Sequence, residues 1–195
     1  MDAFEAVVAA ILQRRGYWTQ TCVKVELTRE EKRMIGRPSS PRWELDVVGY
    51  RGASNELLVV ECKSFLDSPG VKVATFDGQD RIDQKRYKLF FEPTLRKVVL
   101  RRLVHQLVNG GYCASRPKIR LALAAGKING DEELLRSRLG RNRWELFGPA
   151  WLRRELNHLR TSPYENSIAT VVAKLLLRGA RVTQPNPSLE RARER

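Results

Sequence analysis

Cysteine and histidine are both scarce in this sequence of 195 residues. It has three cysteines, at positions 22, 62 and 113, and two histidines, at positions 105 and 158. Three widely spaced cysteines exclude a disulfide framework and a cysteine-rich zinc site, and they fit a reducing compartment. The two histidines lack the spacing of a metal-binding pair, so histidine-based chemistry is not expected.

Long apolar stretches are missing as well. The longest, such as Leu121–Ala125, fall far short of the ~20 residues that cross a membrane. Asp2 and Glu5 stand where a signal peptide would have basic residues. No P-loop, GxGxxG, HExxH or GxSxG pattern occurs, which removes the usual support for nucleotide-driven motors, dehydrogenases, zinc proteases and serine hydrolases. We therefore expect a cytoplasmic or otherwise intracellular protein that does not bind membranes.

Acidic residues are also in the minority, with 22 Asp and Glu against 36 Lys and Arg, a net charge of +14. A folded protein this basic most often binds a polyanion, usually nucleic acid. The alternative is a basic surface that serves only solubility. Between Arg81 and Lys127 there are 12 basic and two acidic residues, a net charge of +10. This segment is therefore predicted to supply much of a phosphate-binding surface.

Apolar periodicity predicts an α/β core followed by helices. The predicted elements are a helix over 3–15, strands over 17–28, 43–50 and 56–63, a helix over 94–109, a strand over 118–125, and helices over 131–139, 149–159 and 167–178. Residues 29–42 are predicted to form a loop with one helical turn, and 64–92 a long irregular connection of the kind that is often functional.

This order of elements predicts three parts of the chain. Residues 1–128 form the core, 129–183 form a C-terminal helical extension packed on it, and 184–195 form a disordered tail. Four tryptophans, at positions 18, 43, 144 and 151, are expected in the core or an interface, and any exposed one offers a face for base stacking.

Charged residues interrupt the two apolar strands of the central hairpin. Asp46 stands between Leu45 and Val47, and Glu61 and Lys63 end the next strand. Glu61 and Lys63 share a face because side chains alternate along a strand. A four-residue turn is expected to make Asp46 and Glu61 diagonal neighbours on that face.

Two neighbouring carboxylates repel unless one is protonated or a cation lies between them. Mg²⁺ or Mn²⁺ suits such a pair, since both ions prefer oxygen ligands and keep several waters. One of those waters can attack a phosphorus, and Lys63 can orient the water or neutralise the developing charge. The alternative is a buried ion pair of Lys63 with Glu61 or Asp46 that serves only the sheet.

The pattern Asp46…Glu61-Cys62-Lys63 on a hairpin, after a helix that contains Glu5, resembles the PD-(D/E)XK nuclease superfamily. The resemblance covers residues 1 to about 127. It implies the restriction-endonuclease-like fold, an αβββαβ core with a mixed central sheet flanked by helices. It also implies that Asp46, Glu61 and the backbone carbonyl of Cys62 bind the metal, that Lys63 assists the water, and that Glu5 binds or orients a second metal or its waters.

Three further residues bear on this interpretation. Leu45 replaces the proline of the family's motif, which leaves the ligands in place. Glu44 is a rival carboxylate on the strand of Asp46. Gln106, on the following helix, matches a position from which related branches contact the site, and the alternative is an amide bonded to backbone or water.

The predicted function is a Mg²⁺- or Mn²⁺-dependent endonuclease that hydrolyses phosphodiester bonds in DNA. The alternatives are a non-catalytic nucleic-acid-binding module on the same scaffold, and a basic protein in a protein assembly whose carboxylates are structural. The resemblance also implies a homodimer, since many such nucleases cut two strands as dimers.

Overall fold

The computed structural model describes residues 2–39, 42–78, 80–161, 163, 165 and 167–177. Its α/β architecture is a five-stranded mixed sheet covered by helices, with a helical region toward the C-terminus, as the sequence predicts. The predicted disordered tail, 184–195, lies outside the described residues.

The described part of the chain contains eight α-helices and seven strands. The helices are α1 (Ala3–Arg14), α2 (Arg29–Met34), α3 (Arg81–Gln84), α4 (Lys88–Phe91), α5 (Pro93–Asn109), α6 (Glu132–Arg141), α7 (Pro149–Thr161) and α8 (Ile168–Leu177). The strands are β1 (Trp18–Val25), β2 (Trp43–Arg51), β3 (Glu56–Lys63), β4 (Val71–Lys72), β5 (Lys118–Ala125), β6 (Ile128–Asn129) and β7 (Glu145–Phe147). The predicted long connection, 64–92, is therefore built of β4, a 3₁₀ turn, α3 and α4.

The main sheet has the strand order β1-β2-β3-β5-β7. β1, β2 and β3 form an antiparallel meander, whereas β5 runs parallel to both β3 and β7. β4 and β6 pair separately as a small parallel sheet. Strand β7 was not predicted, because its three residues are too few for a periodic pattern. The sheet thus extends past residue 128, and the domain division there remains a prediction.

Local sequence explains how α1 and the central hairpin form. Asp2 caps α1 by accepting a hydrogen bond from the Phe4 N–H at 2.9 Å, and Glu5 completes a capping box by accepting from the Asp2 N–H at 3.3 Å. β2 and β3 are joined by the four residues 52–55, which end with Asn55 in the left-handed conformation (φ 46°). Asparagine tolerates this conformation better than most residues do.

Two apolar clusters cover the two faces of the sheet. On one face α5 packs with buried residues such as Leu103 against Val59 of β3. On the other face α1, α7 and α8 pack against Val60 of β3, through residues such as Val8 and Leu152. Alternation along β3 therefore places Glu61 and Lys63 on the α5 face and Cys62 on the α1 face.

The alternation breaks in β1 and β2 at one level of the sheet. Leu45 packs in the α5-face cluster although Val47, two residues later, packs in the α1-face cluster. In β1, Cys22 adopts a left-handed conformation with φ 52°, and the register places it opposite Asp46. Irregularities of this kind re-aim side chains beside functional sites. Here the irregularity lies at Asp46.

A buried ion network lies at the other end of the same strands. Glu56, which is 3% exposed, accepts hydrogen bonds from the Tyr17 hydroxyl, from Arg51 Nη2 at 3.1 Å and from Arg120 Nη1 at 3.3 Å. Burial by itself would raise the pKa of Glu56, but the bonds from Tyr17 and Arg120 outweigh it and lower that pKa. Burial and the Glu56 contact raise the pKa of Tyr17 to about 12.

We predict that Glu56→Gln lowers the free energy of unfolding at pH 7 by about 2 kcal/mol, because it removes the charged acceptor of Tyr17, Arg51 and Arg120. Arg120 keeps its ion pair with Glu145. A carboxyl whose pKa is lowered by folding stabilises the protein above its unfolded pKa, and this contribution is lost as the pH falls through the folded value. The difference in free energy of unfolding between the wild type and Glu56→Gln should therefore become smaller below about pH 4. Urea unfolding at pH 7 and pH 3.5 measures it, with the exposed Glu44→Gln as control. Equal stability of the two proteins at pH 7 would show that the Glu56 network makes no net contribution to the free energy of unfolding.

Candidate active site

The structure brings Asp46, Glu61 and Lys63 together at the carboxyl end of β3. Lys63 Nζ lies 2.6 Å from Glu61 Oε1 and 4.0 Å from Asp46 Oδ2. The three side chains remain 18–25% exposed, so the cluster is sheltered but open to solvent. Two carboxylates and one ammonium thus converge at the end of the central strands, as the strand pattern predicted.

The ladder between β2 and β3 ends one pair before the two carboxylates. Its pairs run from Arg51↔Glu56 to Val47↔Val60, with residues 52–55 as a four-residue turn. The pairing stops where the alternation of β2 breaks, and Asp46 there bonds to the Cys62 backbone through its side chain. The diagonal placement of Asp46 and Glu61 stays a prediction.

Asp46 ends the β2–β3 ladder with its side chain. Its Oδ2 accepts a hydrogen bond of 2.7 Å from the backbone N–H of Cys62. Burial and then the negative charge of Glu61 raise the pKa of Asp46 to about 6, against the opposing effects of the Cys62 N–H and Lys63. The cations near Asp46 and Glu61 therefore do not fully offset the negative charge of the two carboxylates.

The ammonium group of Lys63 is the positive charge next to the carboxylates of Asp46 and Glu61. Burial would lower the pKa of its ammonium, but the charge of Glu61 and its hydrogen bond raise that pKa. Burial and the nearby carboxylates Asp46 and Glu5 also raise the pKa of the Cys62 thiol. The thiol is therefore protonated at neutral pH and is not a nucleophile.

Glu5 lies at the border of the cluster. Its Oε2 accepts from the Asp2 N–H, as the helix cap requires, and from the Cys22 thiol at 3.4 Å. Its charge is one of the causes that raise the pKa of Asp46. Glu5 thus has a structural role in α1 and stands close enough to Asp46 to act on it electrostatically, while its catalytic role remains a prediction.

Gln106 has both ends of its amide bound by the backbone of the β1 region. Its Oε1 accepts from the Glu26 N–H at 2.7 Å, and its Nε2 donates to the Lys24 carbonyl at 3.2 Å. This is the backbone-bonded alternative left open by the sequence. A catalytic role for Gln106 remains a prediction, and it requires the amide to leave these partners.

Glu44 is exposed and lies opposite Lys24 in the β1–β2 register. Its charge is not among the main causes of the pKa shift of Asp46. It therefore offers a natural control carboxylate on the same strand.

Sequence reasoning missed Tyr87, a fully buried residue of the connection between β3 and α5. Its hydroxyl is buried and has no hydrogen-bond partner in the described part of the chain. Burial, then the charge of Asp83 and, more weakly, that of Glu61 raise its pKa. In the sequence, the one indication of a role for Tyr87 is its position in the irregular connection 64–92. A buried, unpaired hydroxyl near Glu61 is a donor for a further oxygen atom.

The donor set fits an oxygen-preferring divalent ion. Asp46 and Glu61 provide two adjacent carboxylates, and the raised pKa of Asp46 indicates that the pair favours a neighbouring cation. No cluster of three or more His, Cys, Asp or Glu side chains suited to a metal occurs among the described residues. Backbone carbonyl and water ligands must therefore complete the coordination of any ion held here.

The basic segment 81–127 does not form one surface. Lys118 is aligned with Glu56, whereas Ala125 is aligned with Lys63, seven residues or about 23 Å further along the parallel strands. Lys118 and the preceding Arg116 therefore lie at the end of β5 that is far from the carboxylates. Lys127 follows β5 at the end of the sheet where the carboxylates lie.

Several other cations of the segment are engaged within the protein. Arg96 donates to the backbone carbonyls of Leu89 and Phe90, and Arg102 pairs with the buried Glu31 at 2.8 Å. The net charge of the segment therefore overstates what is free to meet phosphates. A DNA-binding role for the segment remains a prediction.

No helix in the described residues is both long and apolar enough to span a membrane. No family model matches the chain, and no curated protein matches it. Among solved structures, it is similar to the crystal structure of a protein of unknown function, AF1548. The two share 15% identity with a TM-score of 0.44, over 83% of this chain and 71% of that one. These comparisons assign neither a family nor an activity.

Proposed function

We propose that this protein is a metal-dependent endonuclease that hydrolyses phosphodiester bonds in DNA. The observation that carries the proposal is the convergence of Asp46, Glu61 and Lys63, with Nζ 2.6 Å and 4.0 Å from the two carboxylates. The resemblance to PD-(D/E)XK nucleases supports it through the same three residues. The net charge of +14 supports a polyanionic substrate.

Asp46 and Glu61, with the backbone carbonyl of Cys62, would hold Mg²⁺ or Mn²⁺. When bound, the ion supplies a water of lowered pKa and offsets negative charge on the phosphate. Asp46 is held for this task by the Cys62 N–H, which fixes one of its oxygens at 2.7 Å and leaves the other available.

Lys63 would place its positive charge next to the phosphate of the substrate. Its ammonium has three N–H donors, and Glu61 holds it by one of them, so the others can reach the water or a phosphate oxygen. Placing a preorganised cation where negative charge develops typically contributes a factor of about 10²–10³ to the rate. Glu5 would orient waters at the edge of this arrangement.

The second candidate is a nucleic-acid-binding module without catalysis. The short Lys63–Glu61 ion pair favours it, because an ion pair already satisfies Glu61 without a metal. On this account Asp46 and Lys63 are needed for the sheet and not for DNA.

We also propose that the protein acts inside the cell, in a reducing compartment, and as a homodimer. The described cysteines are all free thiols, as a reducing compartment allows. Analytical ultracentrifugation with and without DNA would measure the state of association.

The proposal is tested by incubating the protein with plasmid, single-stranded and branched DNA in Mg²⁺ or Mn²⁺, with EDTA as control. We expect cleavage of at least one substrate that stops in EDTA and in the Asp46→Ala and Lys63→Ala proteins. DNA binding without cleavage by the wild type, unchanged in both variants, would establish the binding module instead. Binding in either case should weaken steeply with salt.

A further inference from the structure

An open groove of about 580 Å³ runs along β1, the edge strand of the main sheet. Trp18 and Tyr112 line one end, and Lys24 and Gln106 line the other, with Gln20 and Cys22 between them. The distance from residue 18 to residue 24 along an extended strand is about 20 Å. Of the candidate site residues, Gln106 lines this groove, and Cys22 in its lining contacts Glu5.

The aromatic end of the groove is a stacked and exposed pair. The rings of Trp18 and Tyr112 are nearly parallel, with an interplanar angle of 10° and centroids 5.7 Å apart. The side chains are 49% and 58% exposed. Large aromatic residues usually bury most of their surface, so two of them stacked in solvent are free to contact a flat ligand.

The turn before Tyr112 has room for its ring only because it is made of glycine. A Cβ atom at Gly110 would lie 2.7 Å from two ring carbons of Tyr112. Gly111, with φ 73°, then takes a left-handed conformation that side chains disfavour. These two glycines place the Tyr112 ring against Trp18.

The other end of the groove is polar. Gln106 fixes this wall by its bonds to the backbone of Lys24 and Glu26. Val23 and Val25 pack in the α5-face cluster, so the side chain of Lys24 between them leaves β1 on the opposite face. The exposed aromatic pair is therefore the part of the groove that a ligand would contact, and its flat face matches a nucleobase.

The groove reaches the level of Asp46 along β1. Cys22, on its floor, lies across the β1–β2 pair from Asp46, and its thiol contacts Glu5. A strand lying along β1 would therefore reach the level of Asp46 after leaving the aromatic pair.

We propose that this groove binds a single-stranded segment of nucleic acid, with an unpaired base stacked on the Trp18–Tyr112 pair. The bases of a duplex are already stacked on one another, so the site selects single strands or duplexes with unpaired bases. As a statement about the substrate, this rests on the proposed function. As a statement about binding, it does not.

Binding is measured in EDTA, where cleavage cannot occur, by fluorescence anisotropy of a labelled oligothymidine single strand. We expect Trp18→Leu and Tyr112→Leu to weaken binding between about 5-fold and about 100-fold, the usual effect of losing a stacked base. Trp18→Phe keeps an aromatic face and should stay near the wild type. Gly110→Ala should weaken binding because it displaces the Tyr112 ring.

Two comparisons locate the site. An abasic oligomer of the same length carries the phosphates without the bases, and its binding should be weaker and insensitive to Trp18→Leu. Lys24→Gln removes a cation of β1 whose side chain leaves the strand on the opposite face, so it is the matched control and should leave the preference for oligothymidine over the abasic oligomer unchanged. Circular dichroism verifies that each exposed-site variant is folded.

The proposal is overturned if the abasic oligomer binds as tightly as oligothymidine, if duplex DNA binds as tightly as the single strand, or if Trp18→Leu leaves binding unchanged. Failure of the two proposals can be told apart. Base-dependent binding without any cleavage keeps the groove and removes the nuclease. Cleavage with unaltered binding in Trp18→Leu keeps the nuclease and removes the groove.

Discussion

Replacing Lys63 with methionine is expected to lower Mg²⁺-dependent cleavage by about 10³-fold while metal binding is kept or tightened. The loss follows from removing the only ammonium within 4.0 Å of both carboxylates in the described structure. The gain in metal affinity follows because Asp46 and Glu61 lose the cation that now lies beside them. Methionine is unbranched and flexible, so it fills the space of the lysine stem.

Plasmid nicking rates and calorimetric titration with Mn²⁺ measure the two halves of this prediction. Cleavage by Lys63→Met at the rate of the wild type would remove Lys63 from the reaction. A loss of metal binding in this variant would show that the lysine organises the carboxylates instead of competing with the ion.

Replacing Asp46 with asparagine is expected to abolish cleavage and to stabilise the protein when no metal is present. Asparagine keeps an oxygen that can accept the Cys62 N–H and removes the charge that burial and Glu61 disfavour. With a folded pKa of about 6, the wild-type carboxylate costs about 2–3 kcal/mol of stability at pH 8. For a chain of this size that corresponds to a rise of about 5–10 °C in Tm for the variant.

The pH dependence of this stability difference has a definite sign. Folding raises the pKa of Asp46, so the folded protein retains a proton that the unfolded chain releases near pH 4. The wild type therefore loses stability as the pH rises from about 4 to about 6, and the variant does not. Thermal unfolding in EDTA at pH 4 and pH 8 should show little difference at the lower pH and a more stable variant at the higher one.

Saturating Mg²⁺ should remove this difference in stability at pH 8. A metal that binds only the folded state at 100 times its Kd adds about 2.7 kcal/mol, and Asp46→Asn should gain much less. A variant that is no more stable than the wild type in EDTA at pH 8 would contradict the electrostatic description of the site.

Much of the site was predictable because strand geometry is periodic. The two-residue spacing forces Glu61 and Lys63 onto one face, and the polar 52–55 segment forces β2 back along β3. The helical stripe of α5 and the apolar run of β5 were likewise readable from local pattern. These elements carry their information within a few residues.

Features set by tertiary contacts were not predictable in the same way. Strand β7 has three residues and exists through its parallel pairing with β5. No pattern marks Cys22 for a left-handed conformation, since cysteine has no intrinsic preference for it. Gln106 borders an apolar stripe, and only the structure assigns its amide to the backbone of β1.

The central claim is tested most directly by plasmid nicking in Mg²⁺ with two carboxylates of the hairpin neutralised in turn. Glu61→Gln removes a proposed ligand at the end of β3, and Glu44→Gln removes an exposed carboxylate two residues from Asp46. We predict that the Glu44→Gln protein nicks plasmid at the rate of the wild type and that the Glu61→Gln protein does not nick it. Equal activity in the two variants, or none in the wild type, would contradict the assignment of Asp46, Glu61 and Lys63 as a metal-dependent phosphodiesterase site.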